Sequence, residues 1–391
     1  MASNGMEIGD LLGPLIRFRR DIHAHPELAY QEHRTAQHLE TALRALDLAV
    51  HTGIGGTGIV ASLSCGTSRR SIGLRADMDA LPIQEETGLP YASLNEGVFH
   101  GCGHDGHVAM LLGAAQLLAR SRNFDGTVHF IFQPAEEGQG GARAMLEDGL
   151  FQRFPCDRVF ALHNWPDLPA GTVATRQGPI MAAADKFEIS IEGHGGHAAM
   201  PHQTPDTILA ASHLVTQLNS VVSRRIPPTT TAVLSVTHIE GGSSHNVLPA
   251  IVRLTGTVRT FDPGVQDTIE TAVRQIAEGV ARSGDTRITV NYDRYYPATI
   301  NHADAAEIAL EVAAGVANVL RAPEPAFTSE DFGFMLQACE GAYIWLGQGR
   351  RKADVPLHHP LYDFNDEILE TGIKLHAALV QRHLGVNTEK R

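Results

Sequence analysis

A change of rhythm along the chain most constrains its fold. From the start to about residue 181, strand-like apolar runs alternate with helical patterns: "SIGLRADMDALP", "HVAMLLGAAQLLARS", "GTVHFIFQPAEEG", "GARAMLEDGLF" and "RVFALHNWP". Such alternation predicts an α/β layer around a mostly parallel sheet, with its chemistry gathered where strands end. Between residues 182 and 297 the order becomes strand "KFEISIEG", helix "TPDTILAASHLVTQLNSVV", strand "TTAVLSVTHIEG", strand "AIVRLTGTVRTF", helix "TIETAVRQIAEGVARS", strand "RITVNYDRYY". That β-α-β-β-α-β order is the ferredoxin-like split unit. After residue 297 the first rhythm resumes, with helix "ADAAEIALEVAAGVANVL", a short helix near "SEDFGFMLQA", strand "GAYIWLGQG" and a final helix from "NDEILETGIKLHAALVQRHL". The expectation is a discontinuous domain, 1–181 with 298–391, interrupted by a small inserted domain, 182–297. A chain of 391 residues has room for both, because single cores stop growing at roughly 250 to 300 residues.

Charge and cysteine content narrow the class of function. With 44 acidic against 31 basic residues and a formal charge of −13, the chain offers no electrostatic footprint for nucleic acid. The N-terminus "MASNGMEIGDLLG" has neither the basic start nor the apolar core of a signal peptide, and "VAMLLGAAQLLA" is too short and too rich in Gly and Ala to span a bilayer. Four scattered cysteines, Cys65, Cys102, Cys156 and Cys339, form no disulfide framework. The expected location is the cytoplasm, with no membrane partner. The run "TGIGGTGIV" carries Gly53, Gly55 and Gly58 at dinucleotide-fingerprint spacing. That fingerprint needs a helix after the loop, whereas "IVASLS" reads as a strand, so a turn between two strands is expected instead.

Four segments deliver chemistry-bearing residues to presumed strand ends or turns. In "FHGCGHDGHVAM", Cys102 and His104 flank Gly103 just before a helix. A helix N-terminus lowers a thiol's pKa and a divalent cation deprotonates it, so nucleophile and metal ligand both remain open for Cys102 on this segment alone. "FIFQPAEEGQGGA" sets Glu136 beside Glu137. Neighbours on extended chain point opposite ways, so one carboxylate can bind a metal while the other approaches a water. "RVFALHNWP" ends with His163, and "VPLHHPLYDFND" offers His358 and His359. A cysteine protease would leave the glutamate pair and the later histidines without a task. A metal site of Cys102, His104, Glu137, His163 and His358 uses them all, and five ligands exceed what one catalytic zinc takes. Two metals sharing ligands is the economical arrangement.

Ten ordered motifs, "RRDIHAHPELAYQEHRTA", "LRADMDALP", "CGHDGH", "GAAQLL", "QPAEEGQGGA", "GHGGHAAMPH", "HNVLP", "GTVRTFD", "SEDF" and "LHHPLYDFND", resemble the metal-dependent amidohydrolases related to aminoacylase and glutamate carboxypeptidase. Within them the match is to the subgroup of hippurate hydrolases and auxin-conjugate hydrolases, and it runs nearly end to end. The resemblance implies a binuclear site, with Cys102, His104, Glu137, His163 and His358 at ligand positions and Glu136 as general base. Wider relatives carry a ligand histidine in the segment matching "LRADMDALP". Here only Asp77 and Asp79 stand there, and both are expected to support the ligands from behind. The small domain becomes a lid and dimerisation domain, in which His197 aligns with a histidine that reaches the partner subunit's site. Asn246 and Arg259 align with lid residues that hold substrate; the planar fork of an arginine suits a carboxylate.

These expectations amount to metal-dependent hydrolysis of N-acyl amino acids, hippurate-like, N-acetyl or indoleacetyl, by a homodimer or higher homo-oligomer. Two divalent ions are expected per subunit, zinc by donor type, with manganese, nickel or cobalt also accepted by carboxylates. The enzymatic rival is a dipeptidase or carboxypeptidase. The non-enzymatic one is a metal-binding scaffold, which has no need of a base such as Glu136.

Overall fold

The structure is a computed structural model and describes residues 8–349 and 355–385. They divide into two compact units: the described parts of Met1–Ile180, Ile300–Glu324 and Asp331–Arg391 form one, Met181–Thr299 with Pro325–Glu330 the other.

The first unit is built on an eight-stranded sheet in the order Ala49–Ile54, Gly58–Cys65, Gly126–Gln133, Ser71–Asp77, Arg158–Trp165, Gly341–Gly347, Thr172–Thr175 and Asn318–Arg321. Its centre is parallel: Ser71–Asp77 runs parallel to both Gly126–Gln133 and Arg158–Trp165, and the latter parallel to Gly341–Gly347. The large sheet is thus mostly parallel, as the α/β alternation predicts. Strands Ser71–Asp77 and Gly341–Gly347 are buried along their whole length, which explains why they read as continuous rather than alternating apolar runs. The helix His104–Ser121 is buried on nearly every side, packed by Ile8–Ala24 and Leu369–Leu384. Core side chains such as Phe130, Phe132, Leu74 and Ile373 are fully excluded from water, each contributing roughly 1.5–3 kcal/mol.

One local expectation is met and one is corrected. The glycine run is a hairpin turn, since Ala49–Ile54 pairs antiparallel with Gly58–Cys65. The segment expected to be helical to residue 320 is helical only over Ala303–Ala313, and Asn318–Arg321 forms an edge strand parallel to Thr172–Thr175. Gly315 and the β-branched Val316 and Val319 weaken the helix there, and the open sheet edge supplies the strand's hydrogen bonds.

The second unit contains a four-stranded antiparallel sheet in the order Ala232–Glu240, Ile251–Thr260, Ala183–Glu192, Arg287–Tyr296. Helices Thr207–Arg225 and Pro263–Gly284 pack on it. Alternate residues of Ile251–Thr260 are buried, the period-two signature of a sheet covered on one face. Asp206 and Asp262 start the helices by accepting the Leu209 N–H at 2.9 Å and the Gly264 N–H at 2.7 Å. Among the described residues no helix is long and apolar enough to cross a membrane.

Candidate metal centre

Three parallel strands end side by side, and their ends supply half of the site. Ser71–Asp77 leads to Asp79, Gly126–Gln133 leads to Glu136 and Glu137, and Arg158–Trp165 carries His163 near its end. The segment before helix His104–Ser121 brings Cys102 and His104. Gly103 permits the turn: it has φ +88°, and a Cβ there would sit 2.4 Å from Asn164 Oδ1 and 2.6 Å from the Tyr362 hydroxyl. The His358 N–H donates to the Gly101 carbonyl at 2.8 Å, tying the C-terminal segment to the same loop.

The ligand atoms of Cys102, His104 and His163 all lie within 4.8 Å of one another, as do those of Cys102, Glu137 and His358, and those of His104, Glu136 and Glu137. The six residues expected at the centre in this unit are therefore neighbours. Of the paired histidines, His358 places Nε2 at 3.4 Å from Glu137 Oε1, whereas His359 Nδ1 accepts the Leu361 N–H at 3.1 Å.

Hydrogen bonds fix which ring atom faces inward. His104 Nδ1 donates to the Asp79 carbonyl at 2.9 Å, and His163 Nδ1 donates to the Asn164 carbonyl at 2.7 Å. His163 Nε2 then lies 3.4 Å from Cys102 Sγ. His104 Nε2 and Glu137 Oε1 are buried and have no hydrogen-bond partner. Buried polar atoms are rarely left so, because each loses its hydration without return. A divalent cation resolves this, and thiol, imidazole and carboxylate are donors that transition ions accept.

Electrostatics point the same way. Burial, then Glu137, Glu136 and Asp77, push the Cys102 thiol well above its ordinary range. Without a cation it is a protonated thiol, the opposite of an activated nucleophile. Burial would lower His104, but Asp77, Asp79 and Glu137 push it up to about 10. Burial holds His163 well below its usual value, keeping it neutral with a lone pair.

Residues behind the centre hold it still. Asp79 accepts the Glu137 N–H at 2.9 Å through Oδ2. Asp77 Oδ1 lies 2.5 Å from His107 Nδ1, and its Oδ2 accepts from Arg75 at 2.6 Å. Arg75 also donates to Gln133 at 2.8 Å and to Asp331 at 3.2 Å. His107 Nε2 lies 2.6 Å from Asn164 Oδ1, and the Asn164 amide donates to the Tyr362 hydroxyl at 2.8 Å. Sequence reasoning assigned no role to Arg75, His107, Gln133, Asn164 or Asp331. For His107 a signal existed, since it follows His104 at i+3 on one helix face.

The remaining expected residues belong to the second unit. Gly196–His197 pairs antiparallel with Val247–Leu248, His197 opposite Val247, and the Ala198 N–H donates to the Asn246 carbonyl at 3.0 Å. His197 and Asn246 are thus neighbours, both exposed. Arg259, half-buried on strand Ile251–Thr260, donates to the Thr257 hydroxyl at 2.5 Å and the Val258 carbonyl at 2.9 Å.

Known proteins share this arrangement of sequence and fold. The chain is similar to a hippurate hydrolase of Campylobacter jejuni, 41% identical over 97% of this chain and 98% of that one. It is similar to an N-acetylcysteine deacetylase of Bacillus subtilis, 38% identical over 93% of this chain and 95% of that one. Its fold matches that of the Bacillus subtilis YXEP protein, a dinuclear metal binding peptidase, with TM-score 0.83 and 34% identity over 95% of this chain and 98% of that one. The model of peptidase family M20/M25/M40 matches residues 73–382. The chain belongs to peptidase family M20/M25/M40.

Proposed function

We propose that this protein hydrolyses the amide bond of N-acyl amino acids in a metal-dependent reaction, releasing a carboxylic acid and a free amino acid. The observation that carries this reading is the pair of buried atoms without a hydrogen bond, His104 Nε2 and Glu137 Oε1, beside a second, adjacent carboxylate. The hippurate hydrolase and the N-acetylcysteine deacetylase support the substrate class.

In this reading Cys102, His104, Glu137, His163 and His358 hold two divalent ions, zinc by donor softness, with manganese, nickel or cobalt as substitutes. Ions held there supply Lewis acidity, which acidifies water and polarises an amide carbonyl. Glu136 takes a proton from the attacking water as its oxygen bonds to the amide carbon. It returns that proton to the nitrogen as the C–N bond breaks, so the carboxylate is regenerated. Asp79 orients His104 and fixes the peptide of Glu137, while Asp77, itself held by Arg75 and His107, backs the same wall.

The second unit is assigned as a ferredoxin-like lid and dimerisation domain, residues 182–297, inserted into a catalytic domain of residues 1–181 and 298–391. Its β-α-β-β-α-β chain order supports this. His197, Asn246 and Arg259 are assigned to substrate, His197 helping to stabilise the oxyanion in the partner subunit's site. The chain is assigned to the cytoplasm, a reducing compartment that four free thiols fit, and to a homodimer or higher homo-oligomer formed through the second unit.

A substrate panel of acetyl, benzoyl, indoleacetyl and aminoacyl amides tests the reaction, with turnover of the first three expected. Cleavage of aminoacyl amides alone would replace this reading with a dipeptidase. Mixing inactive His197→Ala with inactive Glu136→Gln chains under subunit exchange should restore activity. No recovery would sink the shared site.

A further inference from the structure

Glu32 has no accessible surface, and it stands at the N-cap of helix His33–Arg44 without capping that helix through its side chain. The cap is supplied from elsewhere, as Glu27 accepts the N–H groups of Arg34 and Thr35, both at 2.8 Å. Glu32 instead reaches across the fold. Its Oε1 accepts the Ala135 N–H at 2.9 Å and its Oε2 accepts the Thr57 hydroxyl at 2.5 Å.

Ala135 immediately precedes Glu136, is fully buried, and holds a left-handed φ of +54°. A residue with a Cβ persists there only when its surroundings over-determine it. Burial, the largest influence on Glu32, raises its pKa, so keeping a carboxylate at this place works against solvation. Thr57 belongs to the glycine hairpin, which closes on the same segment: a Cβ on Gly55 would lie 2.6 Å from the Met145 nitrogen. From other directions Asp79 accepts the Glu137 N–H at 2.9 Å and Asp331 accepts the Ala142 N–H at 2.8 Å. Glu32 grips the Pro134–Ala135 peptide, one residue before Glu136.

We infer that Glu32 is a positioning residue for the proton-transferring carboxylate: it anchors the strained Ala135 peptide and so fixes where Glu136 points. This rests on the assignment of Glu136 as general base. The test compares steady-state hydrolysis of N-benzoylglycine by folded, metal-loaded Glu32→Ala, Glu32→Gln, Glu32→Asp and Glu136→Gln enzymes. Glu32→Ala should lower kcat by about 10²-fold, the scale of an ångström-sized misplacement, with KM and metal content retained. Glu32→Gln should keep most of the parental kcat, because its amide oxygen still accepts from Ala135 and its NH₂ group donates to Thr57. A parental kcat per folded site in Glu32→Ala overturns the inference, as does an equal loss in Glu32→Gln. Should Glu32→Ala not fold, the shortened Glu32→Asp carries the test: reduced kcat supports the role and a parental kcat overturns it. Glu136→Gln at the parental rate sinks the base assignment and the inference with it. An inactive Glu136→Gln beside a parental Glu32→Ala sinks the inference alone.

Discussion

Two buried ionic clusters meet on one helical turn and follow opposite rules. His104 faces the candidate metal centre, while its neighbour Asp105 faces Arg19 and His23. In the second cluster opposite charges meet: Arg19 Nη1 lies 2.9 Å from Asp105 Oδ2, and His23 Nδ1 donates to the same oxygen at 2.9 Å. Where hydrogen-bond geometry fails, as between Arg19 Nε and Asp366 Oδ1, a countercharge still stands 2.8 Å away. In the metal centre His104 Nε2 and Glu137 Oε1 make no hydrogen bond and stand 3.8 Å apart, His358 Nε2 lies 3.4 Å from that carboxylate, and the buried Arg75 is engaged behind with Asp77 and Asp331. Burying ions costs several kcal/mol each unless a partner compensates. One cluster holds its countercharges in hydrogen-bonding contact, and the other holds them at 3.4 and 3.8 Å without hydrogen bonds, a gap that a cation would close.

Chelation should break the contrast most sharply. Removing divalent ions is expected to abolish turnover and to lower stability by about 4 kcal/mol for each bound ion, if ions were present at a thousand times their Kd. Thermal unfolding and rate measured before and after chelation check this, and indifference of both would erase the distinction. Glu136→Gln comes next. It should lower kcat by roughly 10² to 10⁴-fold with metal content, read by elemental analysis, unchanged; a parental rate removes Glu136 from the chemistry.

Arg19→Met probes the other cluster. Asp105 and Asp366 would lose their buried cation, costing about 3–5 kcal/mol in unfolding free energy, measured by denaturant titration. Activity per folded molecule and metal stoichiometry should hold. If metal content falls with stability, the two clusters act as one.

How much of this was legible in the sequence follows from what kind of force sets each feature. Strand ends, and with them Glu136, Glu137 and His163, were readable because apolar runs mark strands and parallel strands finish on one edge. The gathering of Cys102 with His358 followed from donor chemistry and motif resemblance. Whether Cys102 is a nucleophile or a ligand was not decidable from its turn alone, since burial beside three carboxylates, which raises the thiol, is a tertiary property. Arg75 on Asp331 and Glu32 on Ala135 were invisible for another reason. They join segments 256 and 103 residues apart, and no spacing rule reaches so far. The edge strand Asn318–Arg321 was misread as helix because local propensity lost to an open ladder.

His23 offers the smallest effect and the cleanest sign. Burial would lower its pKa, but the hydrogen bonds it donates to Asp105 and Glu85 push it up to about 9, against the ordinary 6.5. The folded state therefore binds this proton more tightly than the unfolded chain. Its contribution is fully present below pH 6.5 and is lost as pH rises through 9, with a ceiling of roughly 3 kcal/mol. Asp105, held well below the usual carboxylate range by Arg19 and His23 against its burial, stays ionised throughout that window and adds no slope of its own. His104 would titrate nearby, so the urea midpoint should be followed with divalent ion bound, where its Nε2 no longer carries a proton. The parent should lose stability between pH 6.5 and 9, and His23→Gln should flatten that loss. An equal slope in both proteins would show that the second cluster does not depend on a charged His23, and its self-compensation would then rest on Arg19 alone.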